Sequence, residues 1–341
     1  MATFQDCSIG ISVPESTYKT YVAPTRFYEF ISESVNWQKN VKQGQGLRVG
    51  SRVPRSGRRF TASAGGAGTF QVEWPSKGGG LLLQAALGGA TSTVVAATTA
   101  YQQVFTLADV PPSFTLQKGI PRVDQATVDA YTFLGCMVGS LEFSIPNSDL
   151  AQATFNIDAG DMTTAQGYVA PTYTGSPVNL FPFTVASISL GGTLTAPTTT
   201  ALATVTGASA ASVRSASISI NNNLNVERYN LGGGGRKAKP TVGMRAISGS
   251  MTLEYDSVTY RDAFLNETDL ALLINLVGTT NAGTGRPEQL QIACPNIRFD
   301  TQLPEANGGD LITVDMGFTV LDNTVAAQPI WITQTTSDTA L

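Results

Sequence analysis

The sequence predicts a mostly β protein made of two tandem antiparallel β-sandwich or barrel domains, each with a short flanking α-helix and a long basic hairpin loop. Two observations support this prediction. A ten-residue stretch with alternating apolar and polar side chains occurs twice, at residues 67–76 and 248–257. Charged residues make up only 13% of the chain, which suits sheets whose exposed faces are neutral and polar.

Both copies of this stretch have the period of two that is typical of a half-buried strand. Gly68 recurs as Gly249, and Glu73 recurs as Glu254. The apolar side chains on one face are Phe70, Val72, Trp74, Met251, Leu253 and Tyr255. The polar side chains on the other face are Thr69, Gln71, Glu73, Ser250, Thr252 and Glu254.

Each repeated strand is followed by an apolar run that predicts a short helix closed by a C-cap glycine, at residues 81–88 and 271–278. The second run is preceded by a longer entry, residues 260–269. The order strand, basic glycine-rich loop, strand and helix therefore occurs twice, as an internal duplication would produce.

The composition changes between the two halves, because residues 171–211 are rich in Thr, Ala, Ser, Gly and Pro. We place a connector there, with a possible strand at residues 183–190. The first domain then covers residues 1–170 and the second covers residues 212–341.

Other parts of the chain also alternate in the manner of strands. These strands are predicted at residues 103–107, 113–118, 135–145, 154–158, 289–294 and 311–320. Residues 91–99 are small and predict a linker, and the polar tail at residues 333–341 is predicted to be mobile.

The sequence contains no histidine, so the side chain that most often serves as general base and metal ligand is missing. The glycine cluster at residues 232–235 lacks the spacing of a phosphate-binding loop. We therefore expect no enzyme activity, no cofactor and no metal. The first residues do not resemble a signal peptide and no apolar run approaches membrane length, so we expect no membrane insertion.

Two glycine-rich segments concentrate positive charge, although the formal net charge of the chain is −4. The basic residues are Lys39, Lys42, Arg48, Arg52, Arg55, Arg58 and Arg59 in the first loop, and Arg236, Lys237, Lys239 and Arg245 in the second. Such loops can be solvated, can neutralise nucleic-acid phosphates, or can contact the acidic body of another subunit. We favour self-assembly, because the loops lack interleaved aromatic side chains and the rest of the chain is acidic. Both loops are glycine-rich, so we expect them to be mobile in the free subunit.

Several stretches together resemble the major tail tube protein of long, non-contractile-tailed bacteriophages (siphophages). They are YKTYVAPTRFYEF at residues 18–30, SES at 32–34, GGGLL at 78–82 with the helix end Leu87-Gly88, PPSFT at 111–115, and FLG at 133–135 followed by LEF at 141–143. The resemblance implies tail-tube-like subunits of two packed antiparallel sheets with a flanking helix. Such subunits close into rings, and the rings stack into a hollow tube.

The resemblance also implies partners and a location. The protein would be a structural virion protein of the tail, made in the host bacterial cytoplasm. A tape-measure protein would occupy the lumen during assembly, tail-terminator and baseplate proteins would be further partners, and double-stranded DNA would pass through on ejection. Rings of this family usually contain six subunits, but the duplication favours a homotrimer with pseudo-six-fold symmetry, with a hexamer as the alternative.

Within such a tube, the polar faces of the two repeated strands are predicted to line the lumen, and the basic loops to contact neighbouring subunits. An exposed edge strand would become an interface on ring closure. The main alternative is a phage or bacterial surface-binding β-sandwich module, similar to an adhesin, that uses its loops to hold a ligand. A DNA-binding protein is a weaker alternative.

Overall fold

The structure, a computed structural model, describes residues 3–50, 52–96, 98–124, 126–173, 178–300 and 311–341. Strands dominate it, and the pairings between named strands in the described ranges are all antiparallel, so the prediction of a mostly β fold is confirmed. The two α-helices of the described chain are α1 (Gly80–Leu87) and α2 (Thr259–Leu265). Short 3-10 helices occupy Phe4–Asp6, Ser56–Arg58 and Phe183–Val185.

Twenty-three strands are described. In the first half of the chain they are β1 (Ser8–Ile11), β2 (Arg26–Phe27), β3 (Ser32–Glu33), β4 (Asn36–Gln43), β5 (Arg59–Glu73), β6 (Gly88–Val94), β7 (Tyr101–Leu107), β8 (Phe114–Pro121), β9 (Val128–Ile145), β10 (Gln152–Ala159) and β11 (Asp161–Thr163). In the second half they are β12 (Ala186–Leu190), β13 (Thr193–Thr195), β14 (Thr204–Thr206), β15 (Ser209–Ala210), β16 (Val213–Asn221), β17 (Leu224–Asn225), β18 (Thr241–Val242), β19 (Ala246–Glu254), β20 (Leu270–Gly283), β21 (Arg286–Phe299), β22 (Thr313–Val320) and β23 (Trp331–Thr336).

Seven strands from both halves form one continuous sheet, which we call the long sheet. Its order is β4, β5, β10, β9, β16, β19 and β22. The two repeated strands, β5 and β19, lie in this sheet with three strands between them. The pairing of β9 with β16 joins the strands of the first half to those of the second.

The remaining large sheets pack against the apolar side of the long sheet. In the first half, the early part of β9 pairs with β8, and β8 pairs with β1. A further sheet combines strands of both halves in the order β6, β7, β23, β21, β20, β12 and β15. One contiguous buried cluster contains Phe70 of β5, Leu116 of β8 and Ile292 of β21, and each such side chain contributes roughly 1.5–3 kcal/mol through burial.

The repeated strands show the burial that their sequence period predicts. Phe70, Val72, Met251 and Leu253 are buried, and the residues between them are partly or fully exposed. A glycine is also required at the same place in both copies. A Cβ on Gly68 would collide with the backbone at Val35, and a Cβ on Gly249 would collide with the carbonyl oxygen of Ser217.

The helix predicted at residues 81–88 is confirmed as α1, and Gly88 ends it with a φ of 99° and an N–H donated to the carbonyl of Gln84. The prediction of a helix at residues 271–278 is wrong, because that run lies within β20. β20 is paired along both edges, with β12 and β21. Ile274 on one face is buried in the main core, and Leu273 on the other face is partly buried against a second cluster. Apolar side chains on both faces make such a strand read as an apolar run without a clear period. The second half still has a short helix, α2, within the segment predicted to be its entry.

Two further predictions are wrong. The predicted linker at residues 91–99 begins as strand β6, which pairs with β7. The predicted mobile tail begins as β23, whose six residues are all buried between β7 and β21. Beyond β23, Asp338 forms an ion pair with Arg26 at 2.9 Å, so the last residues are held against the first half of the chain.

Candidate functional site

The six predicted lumen residues lie on one face of the long sheet. Direct cross-strand partners share a face, and one row of partners runs from Glu73 of β5 through Gln152, Ser144 and Ser217 to Ser250 of β19. Thr69 and Gln71 lie on the same side of β5 as Glu73, and Thr252 and Glu254 lie on the same side of β19 as Ser250. The two copies of the repeated strand therefore present one continuous polar surface, which we call the polar face.

Hydrogen bonds between neighbouring strands join the side chains of the polar face. They join Ser34 to Thr69 at 2.9 Å, Gln71 to Gln152 at 2.9 Å, Asn156 to Ser140 at 3.3 Å, Ser217 to Ser250 at 3.1 Å, Ser215 to Thr252 at 3.2 Å and Thr252 to Asp315 at 2.6 Å. Paired amides and hydroxyls make the surface between the carboxylates polar and wettable.

The polar face carries carboxylates, with Glu142 in its middle and Glu73 and Glu254 at the ends of β5 and β19. Glu142 of β9 is exposed and lies directly beside Thr154 and Ser219, in the row that begins at Gln71. Glu73, Glu142 and Glu254 form no ion pair with the described part of the chain. Their negative charge is therefore uncompensated within the subunit.

The first basic loop is the tip of a long hairpin, as predicted. β4 and β5 pair from Asn36 opposite Ala67 to Gln43 opposite Arg59, and residues 44–58 connect them. We call this hairpin the first arm. Its seven basic side chains are exposed, and none of them forms an ion pair within the described residues.

The second basic loop, residues 226–245, folds back onto the first half of the chain. Lys237 is buried and its ammonium pairs with the carboxylate of Asp158 at the end of β10. Arg236 pairs with Asp161 at 2.5 Å and lies over the ring of Trp37, 5.1 Å from its centre. The backbone N–H of Ala64 in β5 donates to the carbonyl of Gly235 at 2.9 Å.

Arg245, at the end of this loop, also bonds within the chain. Its Nε donates to Oδ1 of Asn222 at 2.8 Å, and its Nη2 donates to the carbonyl of Ala108 at 2.5 Å. The amide of Asn222 donates in turn to the carbonyls of Ala86 and Val138, both at 2.9 Å. Lys239 is exposed and forms no ion pair with the described residues.

Burial sets the electrostatics at the base of this loop. It raises the pKa of Asp158, while the hydrogen bond and the charge of Lys237 act in the opposite direction. Burial also lowers the pKa of Lys19, whose ammonium donates to the carbonyl of Lys237. These partners cannot be predicted from the sequence, because Asp158 is 79 residues from Lys237 and Asp161 is 75 residues from Arg236.

Comparison with protein-family models matches residues 5–320 to the family described as phage tail tube protein. The chain belongs to the phage tail tube protein family. The resemblance found in the sequence is thereby confirmed, and the family gives no support to the adhesin-like alternative. No curated protein matches the chain.

As a tail tube protein, the chain is a structural component of the bacteriophage tail and assembles with other tail proteins into a tube. Its family is structural rather than enzymatic. Within the described residues, no helix has both the length and the apolar character needed to span a membrane.

Proposed function

We propose that three copies of the chain close into a ring whose lumen is lined by the polar face, and that such rings stack into the tube through which DNA is ejected. In this proposal the tape-measure protein occupies the lumen during assembly. Tail-terminator and baseplate proteins contact the ends of the tube. The continuity of the long sheet across both halves is the observation that carries the proposal.

A repeated set of strand pairings supports two ring units in each chain. The pairs β1 with β8, β8 with β9, β9 with β10, β10 with β5, and β5 with β4 recur in the same order as β12 with β20, β20 with β21, β21 with β22, β22 with β19, and β19 with β16. α1 and α2 follow the equivalent strands β5 and β19. We infer that the halves are duplicated tube units, so that three chains provide six units and pseudo-six-fold symmetry.

The ends of the long sheet support closure between chains. No described strand pairs with the outer side of β4, and on the outer side of β22 the described partner is β21, through three residue pairs. An exposed strand edge offers backbone donors and acceptors to another chain. Setting β4 of one copy beside β22 of the next would continue the sheet around the ring.

The width of the sheet favours three copies. At ~4.8 Å per strand, about 21 strands give a circumference of ~100 Å, or ~32 Å between opposite backbones before any widening by strand tilt. With ~5 Å of side chain on each wall, the opening is ~22 Å, which admits a DNA duplex. By the same calculation, a ring of two copies would have an opening of only ~11 Å, and a ring of six copies would have an opening of ~54 Å.

The chemistry of the polar face fits a channel for DNA. Hydroxyls, amides and uncompensated carboxylates offer no fixed cation to a phosphate, so the polyanion is not retained by counterion release. Replacing Glu142 and Glu254 with lysine should leave tube formation intact and impair ejection, because a cationic wall would bind phosphates. Normal ejection by this variant would contradict a luminal position for the polar face.

Electron microscopy of the purified protein tests the ring directly. We expect tubes whose rings contain three chains, and a symmetry-averaged cross-section with six similar lobes. Rings of six chains would overturn the stoichiometry. Dispersed particles under all assembly conditions would overturn the proposed assembly itself.

A further inference from the structure

The first arm carries apolar side chains that the described chain leaves uncovered. Leu47 is 100% exposed, Val49 is 98% exposed and Phe60 is 60% exposed. Exposed apolar side chains grouped on one projecting segment mark an interaction surface. Arginines without ion pairs, among them Arg48 and Arg52, lie between these side chains.

A groove of matching character lies beside the end of β5. It has a volume of ≈ 550 Å³ and its apolar lining includes Phe27, Phe30, Ile31, Tyr173 and Val178. A second hollow of ≈ 410 Å³ shares Phe30, Ile31 and Tyr173 with it, so the two hollows form one groove.

The charges at the groove complement those of the first arm. Glu29 and Glu73 line it together with a single cation, Lys77. Glu29 is exposed, and neither carboxylate forms an ion pair within the described chain. Opposite charges around an apolar contact fix partner and register, so the groove fits an apolar segment flanked by arginines.

The arm and the groove lie at opposite ends of the same strand. β5 runs for 15 residues, from Arg59 at the arm to Glu73 at the groove, which is a length of ~46 Å at about 3.3 Å per residue. The arm of one copy therefore cannot reach its own groove without breaking the β4–β5 hairpin. Two different surfaces at opposite poles form a head-to-tail contact that repeats without closing, as a stack of rings requires.

We propose that the first arm inserts Leu47 and Val49 into this groove of a second copy in the neighbouring ring, with the arm arginines beside Glu29 and Glu73. The proposal rests on the stacking proposed above and names the two surfaces that hold adjacent rings together. It assigns the groove to a second copy of this chain rather than to another protein or to DNA.

Three full-length variants test the contact. In the arm variant, L47D/V49D places carboxylates on the inserted segment, and in the groove variants, I31D/Y173D or the single exchange E29R alters the receiving surface. Each should reduce tube mass at least about tenfold while rings persist. In L47D/V49D and I31D/Y173D the reason is the cost of a charge in an apolar groove, and in E29R it is the repulsion between the new arginine and the arm arginines. The matched control is L231D, which changes a leucine of the second loop that is also fully exposed and should assemble like the wild type.

Mixing separates this contact from a general defect. The arm variant retains its groove and the I31D/Y173D variant retains its arm, so an equal mixture should form pairs of rings that neither variant forms alone. Tubes from the arm variant at wild-type yield, or a mixture that gives no ring pairs, would overturn the proposal while leaving the wild-type tube in place. An arm variant that stacks normally but no longer retains duplex DNA would assign the arm to nucleic acid instead. If the wild-type chain itself builds no tubes, the proposed function fails first.

Discussion

The two basic loops have the same sequence character and different structural positions. Both are glycine-rich hairpin tips between paired strands of the long sheet, and both precede a repeated strand. In the first arm the basic side chains are exposed and have no ion-pair partner among the described residues. In the second loop, Lys237 and Arg236 are paired with Asp158 and Asp161 of the first half.

A basic glycine-rich segment therefore does not determine its own partner. The second loop lies beside the end of β10, where two carboxylates are within reach, and it forms its charge pairs inside the subunit. The first arm extends beyond the sheet, so its charges are available to another molecule. We therefore restrict the proposal of inter-subunit contacts to the first arm, and Lys239 is the one predicted second-loop residue without a described internal side-chain contact.

Breaking the buried ion pair of the second loop should cost the most stability. Lys237→Met would leave the carboxylate of Asp158 buried without its cation, which should lower the free energy of unfolding by about 3–5 kcal/mol. The matched control is Lys42→Met in the first arm. Because this side chain is exposed, its replacement should change the free energy of unfolding by less than about 0.5 kcal/mol. Urea denaturation at neutral pH measures both.

A second change checks the cause of that loss. Replacing Asp158 with leucine in the Lys237→Met background removes the unpaired charge and should recover most of the stability, because the two sites then lack any buried ion. Equal stabilities of Lys237→Met and Lys42→Met would show that the two loops do not differ as described.

Limited trypsin digestion should separate the loops next. The first arm offers exposed lysines and arginines, whereas cleavage after Lys237 requires the loop to detach from Asp158. With an opening cost of about 3 kcal/mol, cleavage in the first arm should be at least ~100-fold faster in the free subunit. Mass spectrometry of the fragments at early times measures the ratio, and first cuts after Lys237 would contradict the buried pair. In assembled tubes the arm should become protected.

How far the sequence predicts this fold depends on how local each signal is. The alternation of β5 and β19, the helix α1 with Gly88, and the positions of both hairpin tips follow from neighbouring residues, and the structure confirms them. The sequence predicts a helix in place of β20 because apolar side chains occupy both faces of this strand, with Ile274 in the main core and Leu273 against a second buried cluster, which obscures the period of two.

β23 and the second loop could not be predicted, because distant partners decide them. Polar residues such as Thr333 and Gln334 predict exposure, but Gln334 is buried and its amide donates to the carbonyls of Pro75 and Ser76 at 3.2 and 2.9 Å. Lys237 is likewise buried only because Asp158, 79 residues away in sequence, lies beside it. The sequence predicts the polar face on β5 and β19 separately. The cross-strand rows that join them into one surface depend on the order of the strands in the sheet, which the sequence does not show.

A smaller effect is expected at Arg236, the exposed neighbour of Lys237. Its ion pair with Asp161 is partly solvated and its guanidinium lies over Trp37, so Arg236→Ala should lower the free energy of unfolding by about 1 kcal/mol. Arg236→Lys keeps the charge and loses the planar stacking. Its free energy of unfolding should lie between those of the wild type and Arg236→Ala. Raising the salt concentration should reduce the difference between wild type and Arg236→Ala. A loss as large as that of Lys237→Met would contradict the order of burial within the loop.

The smallest effect on the subunit, and the clearest effect on assembly, is expected from reversing the charge of the first arm. Replacing Arg52, Arg55, Arg58 and Arg59 with glutamate should change the free energy of unfolding by less than about 0.5 kcal/mol, because these side chains are exposed and unpaired within the described chain. The same variant should fail to build tubes, since its arm would meet the carboxylates of its neighbour. Wild-type stacking should weaken with salt, because exposed charges are screened within about 10 Å at roughly 0.1 M. Denaturation curves and electron microscopy of one preparation measure both outcomes. Normal tubes from the variant would show that the arm arginines do not take part in the contact between rings. A large loss of stability would show that the first arm, like the second loop, is held within the subunit.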